Sequence, residues 1–113
     1  MDKLTDFFKM LSDETRVRIL VLLYHKKLCV CQMCGIMEET QPKISKHLAK
    51  LRDMGFVKDE RKEQFIYYYL NFSNKLFEDV LKNILDNIDD YDTIKNDIKR
   101  LGGADGYLST CKR

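Results

Sequence analysis

The strongest constraint in this chain is a change of hydrophobic period at Gly55. Before it, Ile44, Leu48 and Leu51 recur at helical spacing and form one apolar stripe. After it, Phe56-Val57-Lys58 and Phe65-Ile66-Tyr67-Tyr68-Tyr69-Leu70 are rich in β-branched and aromatic residues. The charged run Asp59-Glu60-Arg61-Lys62-Glu63-Gln64 separates those two segments. The pattern predicts a helix that stops at Gly55, then a β-hairpin with a polar tip. At 113 residues the chain fits one domain with a small core, which oligomerisation would help to stabilise.

Upstream, Leu4, Phe7, Phe8 and Leu11 follow i, i+3, i+4, i+7 spacing and predict an amphipathic helix. Ser12 can cap a second helix, with Asp13 and Glu14 in its first turn and His25-Lys26-Lys27 near its end. Val17, Ile19, Leu20 and Leu23 are its expected core. A short helix follows from about Cys31 to Met37. Thr40 or Gln41 starts the next, with Pro42 in a first turn that tolerates it. The helical period returns from Asn74 through Leu76, Phe77, Val80, Leu81, Ile84, Leu85 and Ile88. Residues 92–101 add a helical turn or two. Gly102, Gly103 and Gly106 then predict a loose tail ending with Cys111.

Charge is uneven although the net value is only +2. Residues 41–62 hold seven basic side chains (Lys43, Lys46, Lys50, Arg52, Lys58, Arg61, Lys62) against three acidic ones. The flanks are neutral or acidic. Two short helices, a tight connection and a hairpin form the layout of a winged helix-turn-helix, in which the second helix enters the major groove of duplex DNA. The apolar stripe of the Gln41–Met54 helix would face the domain and turn Lys43, Lys46, Ala49 and Lys50 outward. Gln41, Ser45 and His47 flank that face, where they can hydrogen-bond bases or phosphates. Lysines on phosphates would supply most of the affinity. Arg61 and Lys62 at the hairpin tip can reach an adjacent groove or backbone. The first helix and the Asn74–Ile88 helix have wide apolar faces outside this motif and can pair across a two-fold axis.

Three of the four cysteines, Cys29, Cys31 and Cys34, fall within six residues. Clustering of this kind reads as a metal or redox site rather than a disulfide framework. Three soft thiolates without an adjacent carboxylate or imidazole suit arsenic(III) or antimony(III), whereas structural zinc needs a fourth ligand. Alternatives are a thiol-redox switch, zinc, cadmium or lead sensing, and inert buried cysteines. On a regular helix Cys31 and Cys34 share a face, while Cys29 and Cys31 point nearly apart. The three can meet only if Cys29 stays outside the helix or its first turn unwinds.

These motifs resemble the ArsR/SmtB family of winged-helix repressors, over roughly residues 4–88. The general pattern lies in Leu11-Ser12-Asp13-Glu14-Thr15-Arg16-Val17-Arg18-Ile19-Leu20 and Ser45-Lys46-His47-Leu48-Ala49-Lys50-Leu51-Arg52. The arsenic-responsive branch lies in Leu28-Cys29-Val30-Cys31-Gln32-Met33-Cys34 and Gln41-Pro42-Lys43-Ile44-Ser45. The resemblance implies a mostly α, homodimeric winged helix-turn-helix with a β-hairpin wing, repressing its own operon and leaving DNA when inducer binds. It implies inducer ligands at Cys29, Cys31 and Cys34 and DNA contacts between Gln41 and Lys50. Branches that sense zinc use Asp and His on the last dimer helix, and none of residues 76–88 is a histidine. Branches that sense cadmium and lead add cysteines from an N-terminal arm, and residues 1–28 contain none.

The expected organisation is a DNA-binding and dimerisation domain over residues 1–90 and a short helical or flexible tail over 91–113. The expected partners are operator DNA and a second copy, with no membrane. No constitutive cofactor is expected, only As(III) or Sb(III) as inducer. The N-terminus lacks the apolar core of a signal peptide, so a cytoplasmic location is expected. An enzymatic reading, such as a thiol oxidoreductase or arsenate reductase, lacks a Cys-x5-Arg loop and a Gly-rich phosphate cradle.

Overall fold

The computed structural model describes residues 2–71 and 75–110. Five elements lead into the hairpin: α1 (Asp2–Met10), α2 (Glu14–His25), β1 (Leu28–Cys29), α3 (Val30–Met37) and α4 (Gln41–Asp53). The hairpin is β2 (Val57–Lys62) and β3 (Phe65–Leu70). Then come α5 (Lys75–Asp86), a 3-10 turn (Ile88–Asp90), α6 (Asp92–Leu101) and a terminal 3-10 segment (Ala104–Thr110). The architecture is the expected mostly α winged helix-turn-helix. The expected helix start at Asn74 lies outside the described residues.

Local chemistry explains most boundaries. Asp13, not Ser12, caps α2: its carboxylate accepts the Arg16 N–H at 3.1 Å. The Ser12 hydroxyl instead donates to Lys9 O at 2.7 Å and helps to close α1. Burial works to raise the Asp13 pKa, but the Arg16 N–H and the neighbouring charges of His47 and Arg16 win, and it falls below the usual value. Pro42 occupies the first turn of α4 after Thr40. Gly55 leaves that helix at φ 86°, in the left-handed region that favours glycine. The two-residue wing turn places Glu63 at φ 59°, where glycine or asparagine is the usual occupant.

The sheet has three antiparallel strands in the order β1-β3-β2. The short β1 was not expected. It pairs Leu28 with Tyr68 and Cys29 with Tyr67, tying the cysteine segment to the wing. The core gathers Phe7, Ile19, Leu20, Leu22, Leu28, Met33, Ile36, Ile44, Leu48 and Leu51. Of the expected α2 core, Ile19, Leu20 and Leu23 are buried and Val17 is half-buried. Each fully buried aliphatic side chain contributes about 2 kcal/mol.

The region after Leu101 differs most from expectation. Helix α6 spans the expected residues 92–101, but in place of a loose tail the terminal 3-10 segment packs on α3. A buried ion pair anchors α6: Arg18 Nε and Nη2 each donate to an Asp97 carboxylate oxygen at 2.8 Å. Arg18 Nη2 also donates to Met37 O and Arg100 Nε to Ile36 O, so two arginines hold the end of α3. No helix among the described residues is long and apolar enough to cross a membrane.

Candidate DNA interface and thiol site

The helix-turn-helix is α3, the turn Glu38-Glu39-Thr40, and α4. The turn works because Glu38 takes a left-handed conformation at φ 56° and its N–H returns to Cys34 O. Ile44, Leu48 and Leu51 anchor α4 on the core. The opposite face leaves Gln41, Lys43, Lys46, Ala49 and Lys50 exposed and Ser45 half-buried. Arg61 and Lys62 are exposed on β2 next to the wing turn. The protein thus presents one cationic helix face and a cationic wing tip, a geometry suited to a groove and its flanking phosphates.

His47 is placed differently from its neighbours. It is half-buried against the start of α2, with Nε2 3.8 Å from Asp13 and Nδ1 3.4 Å from Arg16 Nη1. Burial lowers its pKa, Asp13 opposes that, and Arg16, Lys46 and Lys43 add to the lowering. Lys43 pairs with Glu39 at 3.2 Å, and Glu39 also lies 3.6 Å from Arg18. Helix α4 is therefore linked through Glu39 to the buried Arg18–Asp97 pair.

The cysteines sit where the chain leaves β1 and enters α3. Cys29 is the residue before the helix, in extended conformation at φ −90° and ψ 170°, and is buried. It therefore stands outside the helix, one of the two arrangements in which the three thiols can meet. Cys31 and Cys34 lie on α3 and are half-buried. Cys29 and Cys34 are free thiols, and Cys31 is disulfide-bonded. Cys111 lies outside the described residues. Burial pushes the Cys34 thiol up, and the nearby Cys29 and Glu39 push the same way, so it is a protonated thiol at neutral pH. Among the described residues no three metal-ligating side chains are gathered closely enough to hold an ion. A three-thiol site therefore first requires reduction of the Cys31 disulfide.

Gln32 was not singled out from the sequence, yet it organises this joint. Its Oε1 accepts the Cys29 N–H at 3.1 Å, and its Nε2 donates to Ala104 O at 3.3 Å and Asp105 Oδ1 at 3.4 Å. The side chain is 1% exposed. A Gln three residues after a helix-preceding position is a readable capping signal, obscured here because Cys rather than Ser or Thr precedes it. Tyr67, paired with Cys29 across the sheet, adds a phenol to the same neighbourhood. Its pKa is raised by burial first, then by Cys29, Asp105 and Glu63.

Known proteins share this framework. Residues 13–59 match the family described as "Bacterial regulatory protein, arsR family". The chain is 49% identical over 67 residues to the arsenic resistance transcriptional regulator ArsR2 of Pseudomonas putida, covering 58% of each chain. It spans 56–63% of the length of the curated arsenic-resistance regulators it matches. An HTH-type transcriptional regulator of Methanocaldococcus jannaschii is 32% identical over 90 residues, 79% of this chain and 94% of that one. The crystal structure of the transcriptional repressor PagR of Bacillus anthracis superposes with a TM-score of 0.65 at 31% identity, covering 74% of this chain and 93% of that one. The match across α2 to β2, the wing and the superposition together settle the classification: the chain belongs to the arsR family of helix-turn-helix regulators.

Proposed function

We propose that this chain is a metalloid-responsive transcriptional repressor that binds operator DNA as a dimer. Arsenic(III) or antimony(III), taken by Cys29, Cys31 and Cys34, releases it. The observation that carries the reading is the position of the three cysteines. They flank and occupy the start of α3, whose end leads through a three-residue turn into the DNA-facing helix α4. The names of the arsenic-resistance relatives support the inducer class. Gln41, Lys43, Ser45, Lys46 and Lys50, with Arg61 and Lys62 on the wing, contact DNA, and His47 steadies α4 against α2. Exposed Phe8 and Leu76, with half-buried Ile84 and Leu85, offer an apolar face to a second copy.

The deciding experiment is a titration of the reduced protein on DNA from upstream of its own gene, with and without arsenite. Release by arsenite is expected, and persistent binding at saturating arsenite would refute the reading. Lys46→Ala is expected to weaken binding to all sequences alike and to reduce the salt slope of log K by about one, as loss of one phosphate contact should. An unchanged slope would remove Lys46 from the interface.

The ligand class has its own signature. Arsenous acid condenses with three thiols to form three As–S bonds and three waters, with no net proton released. A divalent cation instead displaces the thiol protons. Arsenite affinity is therefore expected to stay flat between about pH 6 and about pH 8, while cadmium or zinc affinity rises with pH. Arsenite affinity that climbs steeply with pH would contradict the stoichiometry.

The disulfide at Cys31 favours a second reading, a thiol-redox-responsive repressor of the same fold. Under it, reductant alone changes DNA affinity without any metalloid.

A further inference from the structure

The terminal 3-10 segment, Ala104–Thr110, packs on α3 with close fit. Ala104 is 1% exposed. The Tyr107 ring lies so close over Gly35 that a Cβ there would come within 2.1 Å of it, so only glycine admits the ring. Gln32 adds two hydrogen bonds from the buried side of the same contact. The segment is therefore complementary to α3 in its undistorted form.

In that form Cys31 is held in a disulfide and no three ligating side chains are gathered among the described residues, so bringing three sulfurs onto one atom disturbs the start of α3. Cys31 lies in the first turn of α3, which also contains Gln32. One buried carboxamide bonds the Cys29 N–H on one side and the terminal segment on the other. A displacement that carries Cys29 toward its neighbours pulls on both sets of bonds.

Resting on the metalloid reading above, we infer that Ala104–Thr110 is a clasp on the sensor helix that inducer binding opens, with Gln32 and Tyr107 as its positioning residues. The clasp holds α3 in the form that presents α4 to DNA. Inducer binding and clasp docking oppose each other, and by linkage each weakens the other by the same factor. The clasped form predominates in the free protein. Weakening the clasp therefore leaves DNA affinity nearly unchanged while it tightens inducer binding.

The test uses the full-length reduced protein, arsenite as probe, and DNA from upstream of its gene. Tyr107→Ala is expected to bind arsenite about tenfold more tightly, with DNA affinity within about twofold of the parent. Asp105→Ala, at an exposed position that folding tolerates, is expected to shift arsenite affinity the same way by less. In the unmodified protein, arsenite is expected to speed amide hydrogen exchange across residues 104–110, a response that general loosening of a variant cannot mimic. If the parent binds one arsenite per chain but exchange in that segment stays unchanged, the clasp is refuted and the metalloid reading stands. Weaker arsenite binding by both variants also refutes the clasp and makes the segment a supporting wall of the site. If the parent binds no arsenite, the metalloid reading and the clasp fall together.

Discussion

Asp97→Ala is expected to destabilise the fold by about 3–5 kcal/mol, the range for removing one partner of a buried ion pair. The side chains of Arg18 and Asp97 are 9% and 1% exposed, so water cannot replace the lost carboxylate. Asp97 accepts two 2.8 Å bonds from Arg18 and lies 3.4 Å from Arg100 Nη2. Its removal strands one buried guanidinium and weakens a second. Arg18 would keep its bond to Met37 O and its contact with Glu39, which keeps the loss within that range. Such a loss is a fifth or more of the roughly 5–15 kcal/mol margin of a small domain. Asp97→Asn keeps an acceptor and should lose less. Urea unfolding followed by circular dichroism gives the comparison. A loss for Asp97→Ala below about 1 kcal/mol is the size of an exposed pair and would contradict this account. Arg18→Ala would leave the buried Asp97 carboxylate with Arg100 at 3.4 Å in place of two 2.8 Å bonds, so it is expected to be damaging as well.

Cys31→Ser is expected to leave DNA binding intact and to raise the arsenite concentration needed for release by at least about 100-fold. That figure is the upper range for losing an outer-shell partner of a bound metal, and a lost sulfur ligand should cost no less. A serine hydroxyl is a hard donor and a poor substitute for a thiolate toward a thiophilic ion. DNA affinity should survive because Cys31 is on α3, away from the exposed face of α4. The same variant separates the two readings of the cysteines. It also removes the disulfide, so a redox-responsive repressor would lose its response to reductant in the same protein. Undiminished arsenite release in Cys31→Ser would show that this sulfur is no ligand.

The first prediction depends on a contact distant in sequence and the second on local spacing, and this explains which features could be read in advance. The exposed cationic face of α4 was legible because Ile44, Leu48 and Leu51 set its orientation by helical period alone. The hairpin was legible from its β-branched and aromatic strands. His47 was less so: its position on the flank follows from the helix, but its packing on Asp13 and Arg16 depends on where α2 lies. Strand β1 is only two residues long and has no period to detect. It exists because β3 offers a free edge beside it.

The period change at Gly55, the lysine-bearing helix and the three closely spaced thiols were determined by the sequence itself, through local spacing and side-chain chemistry. The tertiary structure decided what surrounds those thiols. Arg18 meets Asp97 across 79 positions and Gln32 meets Ala104 across 72. Three glycines made the end of the chain look loose, because local propensity carries no information about a partner so far away. Burial of Ala104 and the space above Gly35 supply that partner, and they turn the terminal segment into part of the packing of α3.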